Sequence, residues 1–228
     1  TMIKADDEDL LRLRYIPAAR LIYINEKWRS QKEDGFPINK TSGYWKAGMP
    51  KPDDANSNPE DFTRVKLMTT TTADAIYIEP IEALGLDREG VVTLQYALKR
   101  AIINNYQVEQ SEMGTVIIGD EEHPNIMIYE AAEGSLGILS QIINDIHSFT
   151  NIVNEAIKIC RYDDKNYKAP ASYDDLLSYY NQPDHQVIDR YKIKDALQRL
   201  SRCKMELEAG KGFTSYEAQY RYLLKNID

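Results

Sequence analysis

The chain is poor in the residues that carry most thiol and metal chemistry: two cysteines, Cys160 and Cys203, and three histidines in 228 residues. Two thiols are too few for a disulfide framework or a four-thiolate metal site, and they fit a reducing, cytoplasmic setting. No apolar run approaches the roughly 20 residues of a membrane span, so no membrane partner is expected. There is no Gly-x-x-x-x-Gly-Lys-Ser/Thr loop, no helicase acidic box and no Gly-x-Ser-x-Gly elbow. ATP hydrolysis is therefore not expected of this chain alone. Positive charge is also short, with 28 Lys and Arg against 36 Asp and Glu and a net charge of −8. Bulk attraction to nucleic acid is excluded, and any such contact needs a local basic surface.

What is present suits a globular chain, with 43% hydrophobic and 28% charged residues, long enough to bury a real core. Sixteen tyrosines against four phenylalanines point to half-exposed aromatic contacts. The stretch Asn125–Ile146 organises the rest. Ile126, Met127, Ile128 and Tyr129 read as a buried strand, Gly134 and Gly137 as a tight turn, and Leu136, Leu139, Ile142, Ile143 and Ile146 as one helical face. Ser135 is placed to cap that helix. A helix start can bind an anion, but Glu130 and Glu133 beside it offset its half unit of positive charge, which favours a packing turn.

Elsewhere the pattern predicts strands over 19–25, 63–72, 75–79, 106–112 and 115–118, and a helix over 92–105 with Thr93 near its N-cap. Residues 46–61, holding Pro50, Pro52 and Pro59, read as a long loop, and 119–125 as an acidic hairpin turn. Helix is expected from 136 to about 159, broken near 148–150, then over 173–180 and 187–207. The fold class is α+β: a mainly antiparallel sheet with packed helices and a helical C-terminal third. Residues 1–160 would form the sheet part and 161–228 a helical subdomain on it. The apolar pattern of 216–227 at the end suggests a piece of a longer protein.

Two strings are distinctive, YEAAEGSLGIL from Tyr129 and SYDDLLSYYNQPDHQVIDR from Ser172. With LIYINEKW at 21–28 and Gly35-Phe36-x-Ile38, the chain resembles the C-terminal zinc-binding domain of the mitomycin-repair helicase family. Such domains end superfamily-two DEAD/DEAH-box helicases and occur in the helicase partner of the DISARM phage-defence system. The matching positions are Tyr129, Glu130, Gly134 and Gly137 in the strand and turn, and Leu176 to Gln182 in Leu-Leu-x-Tyr-x-Asn-Gln, with His185 just beyond. The family commonly has cysteines where Ser172 and Asp175 stand and another pair just before, of which Cys160 alone remains nearby. A structural zinc needs four ligands; Cys160, Asp175 and His185 supply three, so no metal and no cofactor is expected.

The resemblance implies a non-catalytic accessory module that braces helicase motor domains, in cis or in trans, and contacts single-stranded DNA. Arg190, Lys192, Lys194, Arg199 and Arg202, on one predicted helix, would meet the phosphates. Asn181, Gln182, Asp184 and His185 suit capping and turn roles, and also a polar surface for DNA or a motor. The alternative is a protein-interaction scaffold for a helicase subunit without nucleic-acid binding. A third reading, a metal-dependent nuclease, would use Glu130, Glu133, Asp174 and Asp175, but their spacing gives no recognised ligand set.

Overall fold

In the computed structural model, residues 1–28, 31–52, 54, 57–132, 134–208, 217, 218 and 221 are described. Glu133 and most of 216–227 lie outside them. In chain order the strands are β1 (Met2–Ala5), β2 (Glu8–Asn25), β3 (Phe36–Asn39), β4 (Phe62–Val65), β5 (Leu67–Pro80), β6 (Met113–Ile118), β7 (Asn125–Glu130) and β8 (Lys204–Glu206). The α-helices are α1 (Arg88–Tyr106), α2 (Ile138–Asn144), α3 (Ser148–Ile159) and α4 (Lys194–Leu200).

Six strands form one sheet in the order β6-β7-β5-β2-β1-β8, and β3 pairs with β4. The expected hairpin is β6–β7, antiparallel from Met113↔Glu130 to Ile118↔Asn125. Its acidic turn is tied by Asp120, whose carboxylate accepts the N–H groups of Glu122 and His123. At Gly119, with φ +103°, a Cβ would strike the His123 carbonyl, so only glycine fits there. Period-two alternation turns Ile126, Ile128 and Glu130 inward, and β5 meets them with Ile76↔Ile128 and Ile78↔Ile126.

Helix α1 lays Leu94, Ala97, Leu98, Ala101 and Ile102 into the core, with Phe149, Ile152, Val153 and Ala156 of α3. Asp87, not Thr93, caps α1 by accepting the Gly90 N–H at 2.7 Å. Thr93 is buried a turn later, where its hydroxyl oxygen accepts from the Asp189 N–H at 3.1 Å. The α2–α3 break falls at 145–147, where Asp145 accepts from His147 N–H and Ser148 Oγ. Residues 107–112 are a turn rather than a strand, because Gln107 ends α1 in the left-handed region at φ 54°. The C-terminal third is helical in short pieces. Residues 173–176 form a turn ahead of a 3-10 stretch, Tyr179–Asp184, and the expected 187–207 helix is a 3-10 turn (Arg190–Ile193), α4 and β8.

The chain divides into two compact units, Thr1–Ala19 with Ala73–Asp228, and Arg20–Thr72. The expected boundary at 160 falls inside the first. Within the second, Phe36 lies edge-on to Trp28 and Trp45, with ring centroids 4.8 and 5.8 Å away. No helix among the described residues is long and apolar enough to cross a membrane.

In the first unit Asp74 of β5 joins three segments. It accepts from Ala18 N–H and Tyr15 Oη, both at 2.8 Å, and Ser135 Oγ lies 2.9 Å away. The Ala18 N–H first, then the Tyr15 and Ser135 hydroxyls, hold its carboxyl below the ordinary value of 3.8. Its folded pKa is thus depressed, so the stability it adds is complete above that ordinary value and is lost as pH falls through the folded one. Urea unfolding followed from pH 5 to pH 2.5 should show a steeper acid loss for wild type than for Asp74→Asn. Parallel pH profiles would remove Asp74 from this role.

Candidate functional site

Glu130 ends β7 with its side chain 1% exposed, an unusual place for a carboxylate. One oxygen accepts from Gly137 N–H at 2.9 Å and from Leu136 N–H, and the other from Leu139 N–H at 2.8 Å. The strand's last side chain therefore caps the helix that follows, with Gly137 (φ 71°) as its N-cap and Gly134 also at positive φ. Ser135 does not cap α2: its hydroxyl sits between Glu130 and Asp74, 2.7 and 2.9 Å from their oxygens. The N–H groups that an external anion would need are already occupied. Tyr129 pairs with Gly114, and a Cβ on that glycine would collide with the tyrosine ring.

The second site residue of consequence is Arg190, 1% exposed, which sequence reasoning placed on a DNA-facing surface. That placement is corrected. All five of its N–H groups find acceptors: Ala169 O (2.9 Å), Cys160 O (2.6 Å), Arg161 O (3.1 Å), Tyr167 O (2.7 Å) and Tyr191 Oη (2.7 Å). The guanidinium carbon lies 4.2 and 4.4 Å from the Tyr167 and Tyr191 ring centroids. Its own backbone closes the loop, with its N–H donating to Pro170 O and its carbonyl accepting from Tyr162 Oη. A planar fork of donors can gather four carbonyls from a loop without regular structure; a lysine cannot.

Asp175, also 1% exposed, stands beside this cage and holds its entry. It accepts from Ser172 N–H at 2.7 Å, Ser172 Oγ at 2.8 Å and the Tyr167 hydroxyl. Tyr167 thus lies between the two charges, its hydroxyl on Asp175 and its ring and carbonyl on Arg190. The fit to a zinc ion can be tested on these contacts. The Asp175 oxygens are taken by donors, and a fixed cation sits on the Cys160 carbonyl. Burial pushes the Cys160 thiol up to about 12, opposing the thiolate that zinc needs. No cluster of three His, Cys, Asp or Glu suited to a metal occurs among the described residues. The residues do not fit the family's zinc.

The other motif residues build the next turn. Asn181 is buried, donates to Leu176 O at 2.8 Å and accepts from Ser178 N–H at 2.7 Å. His185 Nε2 lies 2.9 Å from Asn181 Oδ1 and 3.0 Å from Ser178 O. Gln182 is exposed. Asp184 caps no helix and instead accepts from Tyr96 Oη on α1 at 2.5 Å.

The remaining basic residues do not share one helix face. Lys192 is paired with Asp87 (3.0 Å) and Glu89 (2.6 Å), and Arg199 with Glu8 (2.6 Å). Arg202 lies 3.9 Å from Asp6, and Lys194 Nζ stands 5.7 Å from the Tyr162 ring centroid. Of the four carboxylates considered for metal chemistry, Glu130 and Asp175 are consumed in separate hydrogen-bond sets.

Replacing Arg190 by Met removes donors from several carbonyls at roughly 1–3 kcal/mol each, so urea unfolding should show a loss of about 3 kcal/mol or more. Arg190→Lys should recover only part of it. A midpoint unchanged in Arg190→Met would show that the cage is not structural. Refolding in EDTA and in added zinc should give one and the same unfolding midpoint. A higher midpoint in zinc would restore a metal to the site.

Residues 94–166, about a third of the chain, match the family model described as MZB, the MrfA Zn-binding domain. Among solved structures, one titled "Crystal Structure of DUF1998 helicase MrfA bound to DNA" aligns at 11% identity with a TM-score of 0.47. The alignment covers 81% of this chain but 25% of that longer one. Comparison with curated proteins gives no match. The resemblance read from YEAAEGSLGIL and its surroundings is borne out over that segment: residues 94–166 match an MZB-type, helicase-associated domain.

Proposed function

We propose that the chain is a non-catalytic accessory module of a helicase-like DNA-processing or phage-defence machine. In this reading it braces motor domains, carried in cis or in trans, and contacts single-stranded DNA beside them. The observation that carries it is the MZB match over residues 94–166. The internal chemistry agrees with bracing. Glu130, Asp175 and Arg190, the groups most able to do chemistry by type, have their polar atoms engaged in holding backbone in place. Fully satisfied buried networks of this kind stiffen a structure and fix one arrangement.

The chain with a labelled single-stranded oligonucleotide should give weak, salt-sensitive binding by fluorescence anisotropy, falling steeply between 50 and 200 mM salt. ATP turnover by the chain alone, with or without DNA, should stay at the buffer rate. An anisotropy that stays flat at low salt and high protein would favour the scaffold reading, a helicase partner without nucleic-acid contact. ATP turnover above buffer would overturn the accessory role.

A further inference from the structure

On α1, Tyr96, Lys99, Arg100 and Ile103 fall at helical spacing along one face and form a wall of a small open cleft of about 70 Å³. The Leu176–Asn181 segment, including Tyr180, lines the other side. Lys99 and Arg100 are half-buried, and among the described residues neither has a carboxylate within ion-pair distance. Burial alone acts on the Lys99 ammonium and pulls its pKa below the ordinary value, with no neighbouring anion to offset it. Lys192 and Arg199, by contrast, are neutralised by partners.

The acidic groups near the cleft are engaged elsewhere. Asp175 accepts from Ser172 and Tyr167, and Asp184 from Tyr96. Tyr180 remains 61% exposed, with Lys99 Nζ 5.8 Å from its ring centroid, and Tyr179, 76% exposed, is perpendicular to it at 5.9 Å. Two uncompensated cations beside exposed aromatic rings match what an unpaired strand offers, a phosphate and a flat base. An acidic peptide would use the cations but has no equivalent use for the rings.

We infer that this cleft holds a backbone phosphate of a single-stranded nucleic acid on Lys99 and Arg100, with a base stacked on Tyr180. The inference rests on the strand-contacting function proposed above and places that contact on α1, away from the α4 basic residues.

The test uses the 228-residue chain with a fluorescein-labelled dT12, an abasic 12-mer of the same charge, and a poly-glutamate peptide as competitor. Lys99→Gln/Arg100→Gln should weaken dT12 binding tenfold or more. It should also lower the log–log salt slope by about 0.7, the contribution of one phosphate contact on a single strand. Tyr180→Ala should weaken dT12 about fivefold or more while leaving the abasic strand unchanged. Lys192→Gln/Arg199→Gln/Arg202→Gln should leave dT12 binding within twofold. If wild type binds dT12 and the Lys99/Arg100 variant binds equally well, the site is overturned and the proposed function stands. If wild type binds no strand, both fall. Displacement of dT12 by poly-glutamate at equal charge would overturn the nucleic-acid assignment. Should the double variant melt far below wild type, the exposed Tyr180→Ala change decides the site through its dT12-to-abasic contrast.

Discussion

A single buried guanidinium holds the part of this molecule that has no regular structure of its own. Residues 160–172 contain neither helix nor strand, and four of their carbonyls turn toward the buried Arg190 side chain. Arg190 meets them and ties the loop to the 3-10 turn that leads into α4. Desolvating that charge carries a cost, and no carboxylate offsets it directly. The compensation is distributed over carbonyl dipoles and the faces of Tyr167 and Tyr191, a use for which arginine is better suited than any other cation. In the family that this segment resembles, a metal is the expected fastener. Here the loop carbonyls are gathered by the Arg190 side chain through hydrogen bonds.

Glu130 plays a comparable part on the other side of the core. It terminates a strand, lies under a turn with two positive-φ glycines and takes the first N–H groups of α2. The strand, turn and helix are therefore one rigid piece. Its carboxylate and that of Asp74 converge on the Ser135 hydroxyl, which links this piece to β5 and, through Tyr15 and Ala18, to β2.

Local patterning made the hairpin, α1 and the α2–α3 pair legible. Alternation in NIMIYE and helical spacing in Leu94–Ile102 are direct consequences of burial on one face. The C-terminal segment was harder to read. The 187–207 stretch has a helical apolar period, yet Asp189 and the demand of Arg190 for inward carbonyls bend it into short pieces, a tertiary effect that composition does not encode. Arg190 looked like one more cation in a basic stripe, and only the carbonyls gathered around its buried side chain reveal the difference. A signal was available in the tyrosines at 162, 167 and 191, more than a solvated loop would need. The second unit, Arg20–Thr72, interrupts the first; it holds both tryptophans and the Pro-bearing 46–61 loop, but the strands that enter and leave it run on without a break in pattern.

The order of the sheet has a consequence for how the chain is made. β1 lies between β2 and β8, and Ile3 of β1 faces Met205 of β8 across the ladder. A ribosome must therefore deliver almost the whole described chain before that last pairing can close, while the hairpin β6–β7 and helix α1 can consolidate much earlier. Until then β1 presents an open hydrogen-bonding edge. The nascent first unit is thus vulnerable to pairing with a neighbour along β1, and synthesis of β8 ends that exposure.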